Sequence, residues 1–370
     1  MKILFNDLVR FRERSGVGGY AEELVSALAY RSGLELISQT AWGQPIARLM
    51  KQSLGEGRAA QTSLLKKALK TFGHQALDRI LSSATRLSQP DLSHEPDLIP
   101  SARARRVIVT AHDLSVLRFP EWHPPHRVEY HRLHTGQLRS QVDRFIANST
   151  QTKTDLIELL GIPSDHIDVV LLAPRRSLLA AAEFALPPLA LPDRYFLYTG
   201  TIEPRKNIPG LLEAYRSLPG TFRKNTPLIL VGGAGWGLDT LVEDLRNGSH
   251  KGVRYLGYRP DHELAGILSG AAAFLYPSFF EGFGLPPLEA MALGVPVIAS
   301  ERGSLKEVLG SAAVIIDPDN PQQLAQAMIK MIEDPSHRQS HSDAGRIWAA
   351  TFSWERTAEQ TWESYGKALK

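Results

Sequence analysis

The sequence predicts an α/β protein made of two doubly wound domains that face a central cleft. Three observations carry that prediction. The chain has 370 residues, more than one ordinary hydrophobic core accommodates. Short apolar runs alternate with longer segments of helical periodicity along most of it, which is the pattern of parallel strands joined by helices. The alternation breaks at AAAEFALPPLALPDR (180–194), a proline-rich stretch without periodicity, and then restarts. The expected division is residues 1–179, a surface linker 180–194, residues 195–352, and a final helix 353–370.

The elements follow in order. KILFN (2–6) reads as a strand, because the amino terminus is too short in apolar residues and too charged for a signal peptide. GVGGYAEELVSALAYR (16–31) reads as a glycine loop entering a helix, and LELIS (34–38) as the next strand. RVIVTAHD (106–113), DRFIANS (143–149) and HIDVVLLAP (166–174) are further strands, and TKTDLIELLG (152–161) is a helix that Gly161 is suited to end. After the linker, RYFLYTG, PLILVGG, GVRYLGY, AAFLYPS, VPVIAS and AAVIID read as strands. NIPGLLEAYRSL, LDTLVEDLRN, DHELAGILSG, PPLEAMALG and NPQQLAQAMIKMIED read as the helices between them, and Ser353 caps the last helix. Open sheets of this kind bind ligands at the carboxyl ends of their strands.

Composition excludes several classes. Hydrophobic residues make up 43% and charged residues 22% of the chain, as in an average globular protein. No apolar run is long enough to span a bilayer. The absence of cysteine removes disulfides, thiolate zinc sites and cysteine nucleophiles, and fits a cytoplasmic protein. The net charge of +3 is uneven, with the basic excess between Arg48 and Arg106. That excess suits an anionic membrane surface as readily as a solvated face. No nucleic-acid partner is expected, since the stretch lacks interleaved aromatics and any reader motif.

The most informative segment is YPSFFEGFGLPPLEAMALGVPVIAS (276–300). A strand ends near Ser278, and a loop follows whose glycines, Gly282 and Gly284, let backbone amides approach a ligand. Pro286 and Pro287 open a helix, whose exposed first-turn amides form a phosphate site. Glu281 lies at the strand's carboxyl end and Glu289 is expected in the first helical turn, where the helix dipole alone would favour a carboxylate. EGFGLPPLE resembles the E-x7-E signature of retaining glycosyltransferase family 4, which has the GT-B fold of two Rossmann-like domains. GTIEPRKNIPGLLEAY (200–215), LILVGGAGW (228–236), YLGYRPDHELAGILSGAAAFLYPS (255–278), VTAHDLSVLRFPEWH (109–123) and GVGGYAEELVSAL (16–28) are also similar to its standard segments. The resemblance covers the chain except about residues 40–105.

The resemblance implies roles by position. Glu281 is expected near the donor sugar and Glu289 on the ribose hydroxyls. Phe283, Gly284 and Leu285 form the turn whose amides meet the diphosphate and sugar, and Arg205 and Lys206 neutralise the diphosphate. Fixed cations aimed at a leaving nucleoside diphosphate lower its barrier, and Arg binds two oxygens where Lys is a point charge. Thr201 stands where many family members carry an arginine, which shifts the load to Arg205. His112 matches the family histidine placed near the donor sugar. The final helix is expected to cross back to the amino-terminal domain.

Other features of the amino half carry less. His123, His126, His131 and His134 are spaced partly for one helix face, but no carboxylate cluster accompanies them, so neither a metal nor another cofactor is expected. GVGGYA satisfies the dinucleotide fingerprint by composition, yet about nine residues separate it from the preceding strand, where the fingerprint requires immediate succession. It reads better as a glycine loop facing the cleft, with Gly18 and Gly19 as its donor contacts. Residues 64–84 place Leu65, Leu69, Phe72, Ala76 and Ile80 on one face, which suits a core or an interfacial helix.

The implied activity is transfer of a hexose from a nucleotide sugar to a saccharide or lipid-linked acceptor in polysaccharide or glycolipid assembly. The segments look most like those of bacterial mannosyltransferases, which makes GDP-mannose the first donor and a UDP-sugar the alternative. A nicotinamide oxidoreductase and a non-catalytic nucleotide-sugar sensor are the rival classes. The protein is expected in the cytoplasm, peripheral to the inner face of the membrane.

Overall fold

The computed structural model describes residues 1–6, 16–38, 89–100, 104–184 and 191–370. Two six-stranded parallel sheets organise these residues. The first contains β1 (Lys2–Phe5), β2 (Glu35–Ser38), β3 (Leu92–Glu95), β4 (Val107–Ala111), β5 (Arg144–Ala147) and β6 (Ile167–Val169), in the order β2-β1-β3-β4-β5-β6. The second contains β7 (Phe196–Thr199), β8 (Leu228–Val231), β9 (Val253–Tyr255), β10 (Ala273–Tyr276), β11 (Val297–Ser300) and β12 (Val314–Ile316), in the order β12-β11-β10-β7-β8-β9.

The longer helices are α1 (Gly16–Leu28), α2 (Pro125–Thr135), α3 (Thr150–Leu160), α4 (Arg176–Phe184), α5 (Ile208–Ser217), α6 (Asp239–Arg246), α7 (Asp261–Ser269), α8 (Leu285–Ala292), α9 (Pro321–Glu333), α10 (Pro335–Ala349) and α11 (Trp354–Ala368). The central strands VIVTA, LILV, AFLY and VIAS are buried at every position, as strands covered on both faces must be.

Two readings of the sequence need correction. Residues 180–184, assigned to the linker, continue α4; Ala181 and Ala182 pack partly buried against the core, and the prolines that end the pattern come only at 187–188. Residues 185–190 of that linker and the amphipathic stretch 64–84 lie outside the described residues. Gly18 and Gly19 stand in the first turns of α1 rather than in a loop, because the helix already begins at Gly16.

β3 and α10 are among the elements that went unread. β3 has the sequence LSHE, yet all four residues are buried. Its polar side chains are satisfied inside: His94 bonds the Tyr365 hydroxyl at 2.7 Å through Nδ1 and Thr110 Oγ1 at 2.8 Å through Nε2. α10 is mostly polar, and its sequence lacks an apolar stripe; Asp334 caps it by accepting from the His337 amide at 2.9 Å.

α11 lies on the first sheet's side. The Trp354 indole donates to the Pro174 carbonyl at 2.9 Å, the Thr357 hydroxyl to the Leu171 carbonyl at 2.7 Å, and Lys367 to Asp168 at 2.7 Å. Ser353 caps the helix by accepting from the Arg356 amide at 3.2 Å. Burial, and to a lesser degree His112, pushes the His94 imidazole down to about 3. The unfolded chain therefore takes up a proton at this residue as pH falls below the ordinary histidine value, while the folded chain does not. Stability falls across the window from about pH 6.5 to 3, by up to about 1.4 kcal/mol per pH unit from this residue. Melting temperatures of the His94→Gln variant should depend less on pH than wild type between pH 7 and 5; parallel curves would remove His94 as the cause.

Candidate functional site

The second sheet reverses its direction of growth between β7 and β10, so the segments leaving those two strands diverge and leave a crevice at their carboxyl ends. One segment, Gly200–Lys206, carries the cationic pair. The other, Ser278–Gly284, carries Glu281. The topology brings Arg205, Lys206 and Glu281 together from positions 75 residues apart.

Their geometry is tight. Lys206 Nζ donates to Glu281 Oε1 at 2.5 Å and to the Tyr276 hydroxyl at 2.8 Å. Arg205 Nη1 donates to Glu281 Oε2 at 2.8 Å and to the Phe280 carbonyl at 3.0 Å, while Nε pairs with Glu203 at 2.7 Å. Burial alone would raise the Glu281 carboxyl, but Arg205 and then Lys206 pull it below the usual carboxylate range. Burial likewise works against the Arg205 charge, and Glu281, Asp113 and Glu203 outweigh it. Lys206 is pushed down by its burial and by Arg205, with Glu281 opposing. Both cations thus already hold carboxylates. Among the described residues Arg205 Nη2 makes no hydrogen bond, which leaves that end of the guanidinium for an anion.

The loop carrying Glu281 is built to be rigid. Its backbone carbonyl accepts from both the amide and the hydroxyl of Ser304 at 3.0 Å. Gly282 packs against the other half of the molecule: a Cβ there would lie 1.8 Å from the His112 carbonyl oxygen, so no larger residue fits without moving the two halves apart. The Ser149 hydroxyl donates to the Gly282 carbonyl at 2.6 Å. Gly284 takes a φ of 98° before α8, a left-handed conformation that glycine adopts without strain. Phe283 is buried and meets Phe352 edge-on, and Leu285 is the first residue of α8.

His112 follows β4 and faces this loop. Burial pushes its imidazole below the ordinary value, so the ring is neutral near pH 7. Nε2 lies 3.0 Å from the Pro96 carbonyl. A carbonyl only accepts, so Nε2 carries the proton and Nδ1 keeps its lone pair. The ring lies edge to face with Tyr20 of α1, centroids 4.8 Å apart. Thr201 is exposed just after β7, and its carbonyl accepts from the Tyr198 hydroxyl at 3.2 Å.

Glu289 differs from expectation. α8 begins at Leu285, so Glu289 stands in the second turn and not the first. Its two oxygens accept from Arg175 Nε at 2.6 Å and Nη2 at 3.0 Å. Gly19 borders the same guanidinium stem. Gly18 is buried in α1.

Several residues of the site went unread. Asp113 is held ionised at about 2; burial would raise it, and Arg205 and the Ser115 hydrogen bonds outweigh that. Its position directly after His112 was the available signal. His123 packs against Trp236, centroids 5.7 Å apart, and both its ring nitrogens are buried without partners. The Trp236 indole donates to the Trp122 carbonyl at 2.6 Å, Phe119 meets Phe280 edge-on and Trp122 stacks on Phe279. These contacts join the two halves, and no periodicity announces them. His134 bonds the Tyr130 carbonyl at 2.7 Å through Nδ1. Among the described residues, no group of three or more His, Cys, Asp or Glu is placed to hold a metal, and no helix is long and apolar enough to cross a membrane.

Comparison with known proteins agrees with this architecture. The family described as Glycosyltransferase Family 4 matches residues 14–172, and the family described as Glycosyl transferases group 1 matches residues 183–348. The chain is 33% identical to the O-antigen chain mannosyltransferase B of Escherichia coli over 384 aligned residues, covering 99% of each. Among solved structures it superposes on Anabaena HepE, crystallised with UDP and glucose, with a TM-score of 0.69 at 19% identity and 99% coverage of both chains. It also superposes on WaaG, a glycosyltransferase involved in lipopolysaccharide biosynthesis, with a TM-score of 0.66 at 14% identity and 98% coverage of both. Fold and site define a glycosyltransferase of the GT-B architecture. The chain belongs to glycosyltransferase family 4.

Proposed function

We propose that the protein transfers mannose from GDP-mannose to a saccharide or lipid-linked acceptor in polysaccharide or glycolipid assembly, with retention of anomeric configuration. The observation that carries this reading is the buried Arg205–Lys206–Glu281 cluster beside the start of α8. The choice of mannose rests on the Escherichia coli mannosyltransferase, of which 99% is covered. In this reading the diphosphate lies against Arg205, Lys206 and the amides of Phe283, Gly284 and Leu285. Glu281 and the His112 Nδ1 lone pair accept from sugar hydroxyls, and Glu289 from the ribose. Gly18 and Gly19 of α1 and Thr201 border the donor.

The acceptor oxygen attacks the anomeric carbon from the face that the diphosphate leaves. The leaving phosphate oxygen takes the acceptor's proton, and in this reading Arg205 and Lys206 take the place of a metal beside the diphosphate. The acceptor enters along a groove of about 730 Å³ lined by Pro120, His123, Pro125, Val128, Arg132 and Leu133. A lipid-linked acceptor places the reaction at the cytoplasmic face of an anionic membrane, with the protein peripheral to it.

Thermal shift with GDP-mannose, GDP, UDP-glucose and UDP tests the donor. Stabilisation by the guanosine compounds is expected; stabilisation by the uridine compounds alone overturns the donor choice, and no shift with any of them overturns the site. The two glutamates should separate kinetically. Glu281→Gln lowers kcat, because its contact strengthens as the sugar becomes cationic, whereas Glu289→Gln chiefly raises the donor KM. Exchanged effects would reverse the assignment.

A further inference from the structure

A second buried ion-pair system borders the cleft and has no part in the diphosphate cluster. Arg175 lies between β6 and α4, in the amino-terminal half of the chain. Its guanidinium forks onto both oxygens of Glu289, and its own backbone amide adds a third contact to Oε1 at 3.3 Å. Nη1 donates to Asp261 Oδ1 of α7 at 2.8 Å, and the Ser177 hydroxyl holds the other Asp261 oxygen at 3.0 Å. The stem of the side chain runs past Gly19, where a Cβ would lie 3.4 Å from Arg175 Cδ. The next amide, that of Arg176, donates to Glu23 of α1 at 2.7 Å. Arg175 and its neighbour Arg176 thus link α1, α4, α7 and α8.

Stability alone is a weak account of this arrangement. Glu289 is 3% exposed, and a buried ion pair is commonly no more stabilising than apolar residues of the same volume. A two-pronged arginine does something else well: it fixes a carboxylate's plane and rotamer. Each carboxylate oxygen accepts two hydrogen bonds. Oε1 receives two from Arg175, while Oε2 receives one, which leaves an acceptor direction on Oε2. Burial opposes the Arg175 charge, but Glu289 and Asp261 outweigh it, so the fork stays charged.

We infer that Arg175 is a positioning residue for the donor nucleoside: its fork holds the Glu289 carboxylate so that Oε2 meets a ribose hydroxyl. This rests on the ribose reading of Glu289 given above. Lysine in its place keeps the charge but not the planar fork, and methionine removes both.

The test compares GDP with 2′,3′-dideoxy-GDP by calorimetry on the full chain, with the uridine pair if the protein prefers uridine. Inorganic pyrophosphate serves as a probe of the diphosphate site alone. Wild type should prefer the complete ribose by about tenfold, the equivalent of one hydrogen bond to a charged group. Arg175→Met should reduce that preference to within roughly twofold, leave pyrophosphate binding unchanged, and add nothing to Glu289→Gln in the double variant. Arg175→Lys should fall between, and it keeps the test decisive if the methionine variant does not fold. Wild-type ribose preference in both Arg175 variants overturns the proposal. Absence of that preference in wild type overturns the ribose reading of Glu289 itself, and the proposal with it.

Discussion

Arg205→Ala and Lys206→Ala should each slow turnover with the accepted donor by roughly 100-fold, the loss of about 3 kcal/mol of transition-state stabilisation that one fixed electrostatic donor provides. The leaving diphosphate gains negative charge as the glycosidic bond breaks, and both cations stand in a buried site where screening is weak. Arg205 should lose more, since its fork also orders Glu203 and Glu281. Removing it leaves two buried carboxylates short of a partner, so the variant should also melt at lower temperature. Steady-state kinetics beside a melting curve separates the effects. Wild-type turnover in both variants on every accepted donor would show that the diphosphate lies elsewhere.

Deleting residues 354–370 should abolish activity. α11 buries Trp354 and Tyr365 almost completely, and truncating such a residue costs about 3–5 kcal/mol, while a whole protein is stable by only about 5–15 kcal/mol. The deletion would also strip the Tyr365 partner from His94. The halves already touch where Gly282 meets His112 and Trp236 meets Trp122, so a donor must enter an opened form, and its binding should draw that form back to these contacts. Small-angle scattering should record a smaller radius of gyration at saturating nucleoside diphosphate. An unchanged radius together with full activity of the truncated chain would rule out both the strap and the closure.

Much of this was legible in the sequence for physical reasons. Strands buried on both faces, such as VIVTA and LILV, must be apolar throughout, so their runs stand out. Gly161, Ser353 and Pro286 mark helix ends by backbone chemistry that is local. β3 hid because its burial is compensated by partners distant in the chain: Tyr365 lies 271 residues from His94. In the site, Arg205, Lys206 and Glu281 were legible because each sits in a glycine- and proline-marked turn after a strand. Arg175 was not, since one of two adjacent arginines after a strand looks like any solvated basic turn. Its meaning comes only from Glu289, 114 residues away. Glu289 falls in the second turn instead of the first because α8 starts at Leu285, one residue before the prolines.

The proposed reaction moves mannose from GDP-mannose with retention. The most direct measurement incubates the protein with GDP-mannose, which is an α-mannoside, and a mannose-terminated lipid-linked glycan, then reads GDP release and the anomeric one-bond carbon–proton coupling of the product. The account predicts one GDP released per new α-mannoside. A β-mannoside, or no release of GDP, would contradict it.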